Sequence, residues 1–190
     1  MSSSPASADP WLLVIDPQRI FADPASDWAS PFFPAAFERI RTLAAHVGPQ
    51  RTLVTRWLPT ADRSTSWGAY FQAWPFADVP AEDPLYSLVD GAADLTAHPL
   101  IDEPTFGKWG PQLEAAVGSG AHLWVTGVST DCCVISTVLA AADAGAHLTV
   151  VTDAVAASTQ ENGRAALAVM ELFPPQVTLT SSAMLLTPTP

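Results

Sequence analysis

The chain of 190 residues is 48% hydrophobic and only 14% charged, against a usual charged share of about 25%, which suits one domain with a sizeable core. Its formal charge of −11 and pI near 4.4 argue against nucleic acid or an anionic membrane as partner, because both are bound through basic patches. Two adjacent cysteines make no disulfide framework and no CxxC pair, and four isolated histidines offer no HxH or HExxH spacing, so neither a metal site nor another cofactor is expected.

Residues 1–10 read as a flexible leader without the basic start and long apolar run of a signal peptide. With no stretch near the roughly 20 apolar residues of a membrane span, the expected compartment is the cytoplasm. WLLVID (11–16) is an apolar run ending in aspartate, as in a buried parallel strand. PAAFERIRTLAAHVG (34–48) carries helical spacing with a closing glycine, and RTLVTRW (51–57) is a second strand. Residues 58–99, rich in proline, aspartate, serine and aromatics, predict loops with one or two short helices, one of them near 68–74.

A short strand at 99–102 and a helix at 111–118 come next. Then follow strand 122–128, helix 132–145, strand 147–154, helix 159–173 and strand 176–180, with a short tail at the end. Alternation of this kind implies βαβ units, hence an α/β domain over 11–187 with a mostly parallel, doubly wound sheet between two helical layers. Ligands of such sheets sit beyond the carboxyl ends of the strands.

Three groups are predicted at or just after strand ends: Asp16, Lys108 and the pair Cys132 and Cys133. An aspartate there is often only a turn residue, and a cysteine most often only a small buried hydrophobe. In GVSTDCCV (127–134), however, a thiol enters the first turn of a helix, where unpaired N–H groups favour thiolate and can later hold an oxyanion. Asp16 is the natural proton acceptor for such a nucleophile, no histidine being near a strand end. Lys108 is the sole lysine, beside seven arginines. Its ammonium would keep Asp16 ionised and help depress the thiol pKa.

VIDPQRIF, GVSTDCCVISTVLAAADAG and VVTDAVAAS resemble the isochorismatase-like cysteine hydrolase family, which includes nicotinamidases and carbamoylsarcosine amidohydrolase. The resemblance spans about residues 11–180 and implies a six-stranded sheet. It implies Cys133, not Cys132, as nucleophile, Asp16 as catalytic carboxylate, and a cis peptide at Val128–Ser129 that gives Ser129 and Cys133 as oxyanion donors. The lysine departs from the family pattern. Laid on EPTFGKW, that pattern puts Glu103 at the usual lysine position. Either Lys108 reaches in from a rearranged loop, or Glu103 has replaced the lysine and the chain is a catalytically altered binding or assembly protein. The single lysine favours the first. A solvated lysine with its stem on Trp109 is the plainer alternative.

The resemblance also bears on substrate. Nicotinamidase-type members carry a metal-binding Asp-x-His after the second strand, where this chain has Arg56 and Leu58. The expected substrate is therefore a small amide or carbamoyl compound handled without metal. Phe21, Trp57, Trp67, Tyr70 and Trp109 are candidates for the pocket walls. A vinyl-ether hydrolase of the isochorismatase kind needs no nucleophilic cysteine, so Cys133 counts against it. Relatives often form homodimers or homotetramers, which is the quaternary expectation.

Overall fold

The computed structural model describes residues 9–187, so most of the expected leader and the end of the tail lie outside the described residues. Six strands form one parallel sheet: β1 (Trp11–Ile15), β2 (Thr52–Trp57), β3 (Ile101–Glu103), β4 (His122–Val128), β5 (His147–Ala156) and β6 (Val177–Thr180). Their order is β3-β2-β1-β4-β5-β6, so the chain reverses direction across the sheet between β1 and β4. That reversal opens a crevice at the carboxyl ends of β1 and β4.

Period-two alternation sorts the sheet into two cores. Leu12 and Val14 face one way, Leu13 and Ile15 the other, all fully buried. The first core receives α2 (Phe33–Val47) through Phe33, Ala36, Phe37, Ile40, Leu43 and Ala44, the spacing of one helical face. The second receives α4 (Pro111–Val117), α5 (Ile135–Asp143) and α6 (Gln160–Met170) through Leu113, Val138, Ala141, Ala166 and Met170. The short helices α1 (Arg19–Ala22) and α7 (Ser182–Leu186) were not legible in the sequence. Four and five residues carry too little periodicity to register.

Between β2 and β3 the chain forms α3 (Ser66–Ala73), capped by the Thr65 hydroxyl, and three single 3₁₀ turns, each packed on the first core. The helix expected from residue 132 instead begins with a wide π turn, Thr130–Val134, in which Val134 N–H donates to the Ser129 carbonyl at 3.0 Å. Strand β5 is longer than expected. Three extra residues bulge between the pairs Val125–Val150 and Gly127–Val155, which carries its end up to the crevice.

Gly127 is demanded by this crossing. Its φ is +110°, and a Cβ there would lie 2.1 Å from the Ile15 carbonyl oxygen. Gly127→Ala is expected to cost at least about 1 kcal/mol and to displace the end of β1. Urea unfolding and a thiol-reactivity assay on the same sample check this. Unchanged stability would show that the two strands can part without loss. Among the described residues no helix is long and apolar enough to cross a membrane.

Candidate active site

Asp16 follows β1 directly with φ +48°, a left-handed conformation that aspartate tolerates better than most residues. The turn buries its carboxylate completely. Thr55, at the same level of β2, donates its hydroxyl to Asp16 Oδ1 at 2.6 Å and accepts the Asp16 N–H at 3.1 Å. The other oxygen, Oδ2, lies 3.2 Å from Lys108 Nζ and accepts no hydrogen bond from the described residues.

Lys108 is as buried as Asp16. Its ammonium donates to the Thr105 carbonyl at 2.7 Å, curling the 105–108 segment onto itself. The backbone fixes the same segment from the other side. Lys108 N–H donates to Thr137 Oγ1 at 2.8 Å, and that hydroxyl donates to the Cys133 carbonyl at 2.7 Å. One threonine on α5 therefore ties the lysine loop to the cysteine turn.

Glu103 plays no part in this cluster. It ends β3, pairs with Trp57 across the sheet edge, and its side chain reaches toward Gly110. Of the two positions weighed for the charge partner, the structure puts Lys108 against Asp16.

Cys133 is nearly buried, yet it lines a cavity of about 490 Å³, as do Cys132 and Ser129. The peptide between Val128 and Ser129 is cis. The neighbouring Cys132 thiol, burial and the Asp16 charge push the Cys133 thiol well above its ordinary pKa, and only Lys108 opposes them. This corrects the expectation of a depressed thiol pKa. The reason is that the contact with Cys132, burial and the Asp16 charge together outweigh the ammonium.

The walls differ from those expected. Phe21, Trp57 and Tyr70 line the cavity, together with Trp28, Trp74 and Phe106. Trp67 does not; it stands behind the wall, packed on Trp57, Tyr70 and Phe106 at centroid distances of 6.3, 5.2 and 4.9 Å. Trp109 is also absent, because it packs against the second core. Burial pushes the Tyr70 phenol up, so it stays neutral.

Gln18 escaped the sequence reading of the site. Fully buried, it accepts the Trp57 N–H at 2.7 Å and donates to the carbonyls of Trp57 at 3.0 Å and Tyr86 at 2.8 Å. It thereby braces the Trp57 wall against the 84–88 segment. Its signal was a polar residue three positions past the first strand. Thr137 was equally legible in principle, one helical turn beyond Cys133 and on the same face.

A metal does not fit where the resemblance would put one. Arg56 is held by Asp102 through two hydrogen bonds of 2.7 Å, Leu58 supplies no ligand atom, and no cluster of three or more His, Cys, Asp or Glu is found among the described residues.

Residues 10–184 match the family model described as isochorismatase domain. An isochorismatase family protein from Desulfovibrio vulgaris superimposes with a TM-score of 0.76 at 20% identity, covering 93% of this chain and 96% of the other. An isochorismatase-like hydrolase from Alkaliphilus metalliredigens gives 0.75 at 13% identity over 94% and 96% of the two chains. A cysteine hydrolase from Pseudomonas syringae gives 0.74 at 18% identity over 97% and 96%. At such identities the likeness concerns the fold, and no curated protein matches the chain. The match along nearly the whole chain is what assigns it: this protein belongs to the isochorismatase-like hydrolase family.

Proposed function

We propose that the protein is a cysteine amidohydrolase that cleaves a C–N bond of a small amide or carbamoyl compound through a thioester on Cys133. The buried Asp16–Lys108 pair beside a cysteine that lines an aromatic cavity carries this reading. An ion pair so deep costs desolvation that hydrophobic residues would avoid, and its position at the crevice gives that cost a use.

Cys133 rests as a thiol. When a substrate carbonyl sits over the sulfur, Asp16 takes the proton through Oδ2, the oxygen without a hydrogen-bond donor, and the sulfur attacks. Backbone N–H groups of Ser129 and Cys133 hold the oxyanion, where one donor is worth about a hundredfold or more. Asp16 returns its proton to the leaving amine. Water then attacks the thioester with Asp16 again as base, the acid leaves, and Asp16 returns that proton to the departing Cys133 sulfur. Lys108, 3.2 Å from Asp16 Oδ2, offsets the carboxylate charge and tempers the negative charge of the intermediate.

The likeness to a cysteine hydrolase fold agrees with this chemistry. The test is ammonia release over a panel of small primary amides and carbamoyl compounds. At least one is expected to be hydrolysed with multiple turnovers in chelator-treated buffer. No release from any member, with the protein folded, contradicts the reading.

A further inference from the structure

We infer that the cavity above Cys133 selects amides that carry an organic ammonium group, so that water replaces ammonia at the carbonyl while the cation rests on the aromatic wall. The inference rests on the amidohydrolase reading for its chemistry, but the recognition stands on features of its own.

The first is charge. No lysine, arginine or histidine lines the cavity, whereas Asp27 and Asp131 do. A substrate carboxylate would find no countercharge there and would meet two like charges. Asp131 is already engaged, accepting the Ser158 N–H at 2.9 Å and the Ser158 hydroxyl. Asp27 makes no ion pair or hydrogen bond with the described side chains, although Asp78, Asp90, Asp102 and Asp153 all face an arginine. The cavity thus keeps one unengaged carboxylate at its rim, in a chain of net charge −11.

The second is the wall. Trp28 packs at 5.6 Å from Trp74 and 5.8 Å from Tyr70, so three electron-rich rings line the same cavity as that carboxylate. Ring faces attract alkylammonium groups and gain more when water is excluded. The half-buried Tyr70 phenol is held neutral, so it contributes a ring face rather than a charge. A flat neutral heterocycle would use the rings but would leave Asp27 idle; an ammonium uses both.

The test separates binding from turnover. Choline and its carbon isostere 3,3-dimethyl-1-butanol are titrated into the wild-type protein, with tryptophan fluorescence as readout. Choline is expected to bind about tenfold more tightly, and Asp27→Asn is expected to narrow that preference while the isostere binds as before. Equal binding, preference for the isostere, or no response to either ligand overturns the inference. Ammonia release from betainamide and from 3,3-dimethylbutanamide is measured alongside. Equal hydrolysis of both also overturns it and leaves the amidohydrolase reading intact. Choline preference with neither amide hydrolysed upholds the recognition and counts against the hydrolase chemistry.

Discussion

Lys108→Ala is expected to destabilise the fold and to remove activity, for one reason. The substitution leaves the Asp16 carboxylate fully buried, its oxygen Oδ2 without the ammonium 3.2 Å away. Breaking a buried pair from one side costs about 3–5 kcal/mol, which for a chain of this size is roughly 10 °C in Tm. The double variant Asp16→Asn with Lys108→Met removes both charges and is expected to recover most of that stability, because no unpaired charge remains in the interior. It should recover no turnover. Thermal unfolding and ammonia release on the three proteins decide the matter. A stable, active Lys108→Ala protein would mean that the lysine is merely housed there.

Cys133→Ala is expected to lose at least about a thousandfold in kcat with no change in Tm beyond a few degrees, since only a sulfur is removed from a well-packed site. Cys132→Ala lines the same cavity but should retain most activity. The raised thiol pKa adds a sign to the test. Because Cys133 is held protonated by its neighbour, by burial and by Asp16, its alkylation by iodoacetamide should be slower at neutral pH than that of a free thiol and should climb as pH rises. Peptide mapping after timed alkylation measures it. Fast alkylation of Cys133 at neutral pH would mean that a thiolate already exists before substrate arrives.

Much of this was readable from residue types, and the failures have physical causes. The ends of β1 and β4 were marked by mostly apolar runs stopping at Asp16 and at the GVST turn, because parallel strands buried on both faces admit a polar residue only where it is hydrogen-bonded, as Thr126 is to the Leu13 carbonyl. Lys108 was conspicuous by rarity. Trp109 was misread for a reason the backbone supplies. The turn that aims Lys108 at Asp16 leaves Trp109 packed against the second core.

Trp67 failed differently. The aromatic segment builds two layers, and composition cannot say which ring faces the cavity and which stands behind it. Phe106 does line the cavity, yet it sits in the lysine loop, outside the aromatic-rich segment 58–99. Thr55, Thr137 and Gln18 bond across 39, 29 and up to 68 positions of chain, so no local pattern reports them.

Catalysis turns on a covalent bond to one sulfur. With an amide that the release assay identifies as substrate, the reaction is quenched in acid during turnover and the protein is digested and mapped by mass. The acyl group of that substrate should be found on Cys133 alone, and its level should fall as substrate is exhausted. Steady turnover with Cys133 unmodified at every time point, or with the acyl group on Cys132 instead, would contradict it.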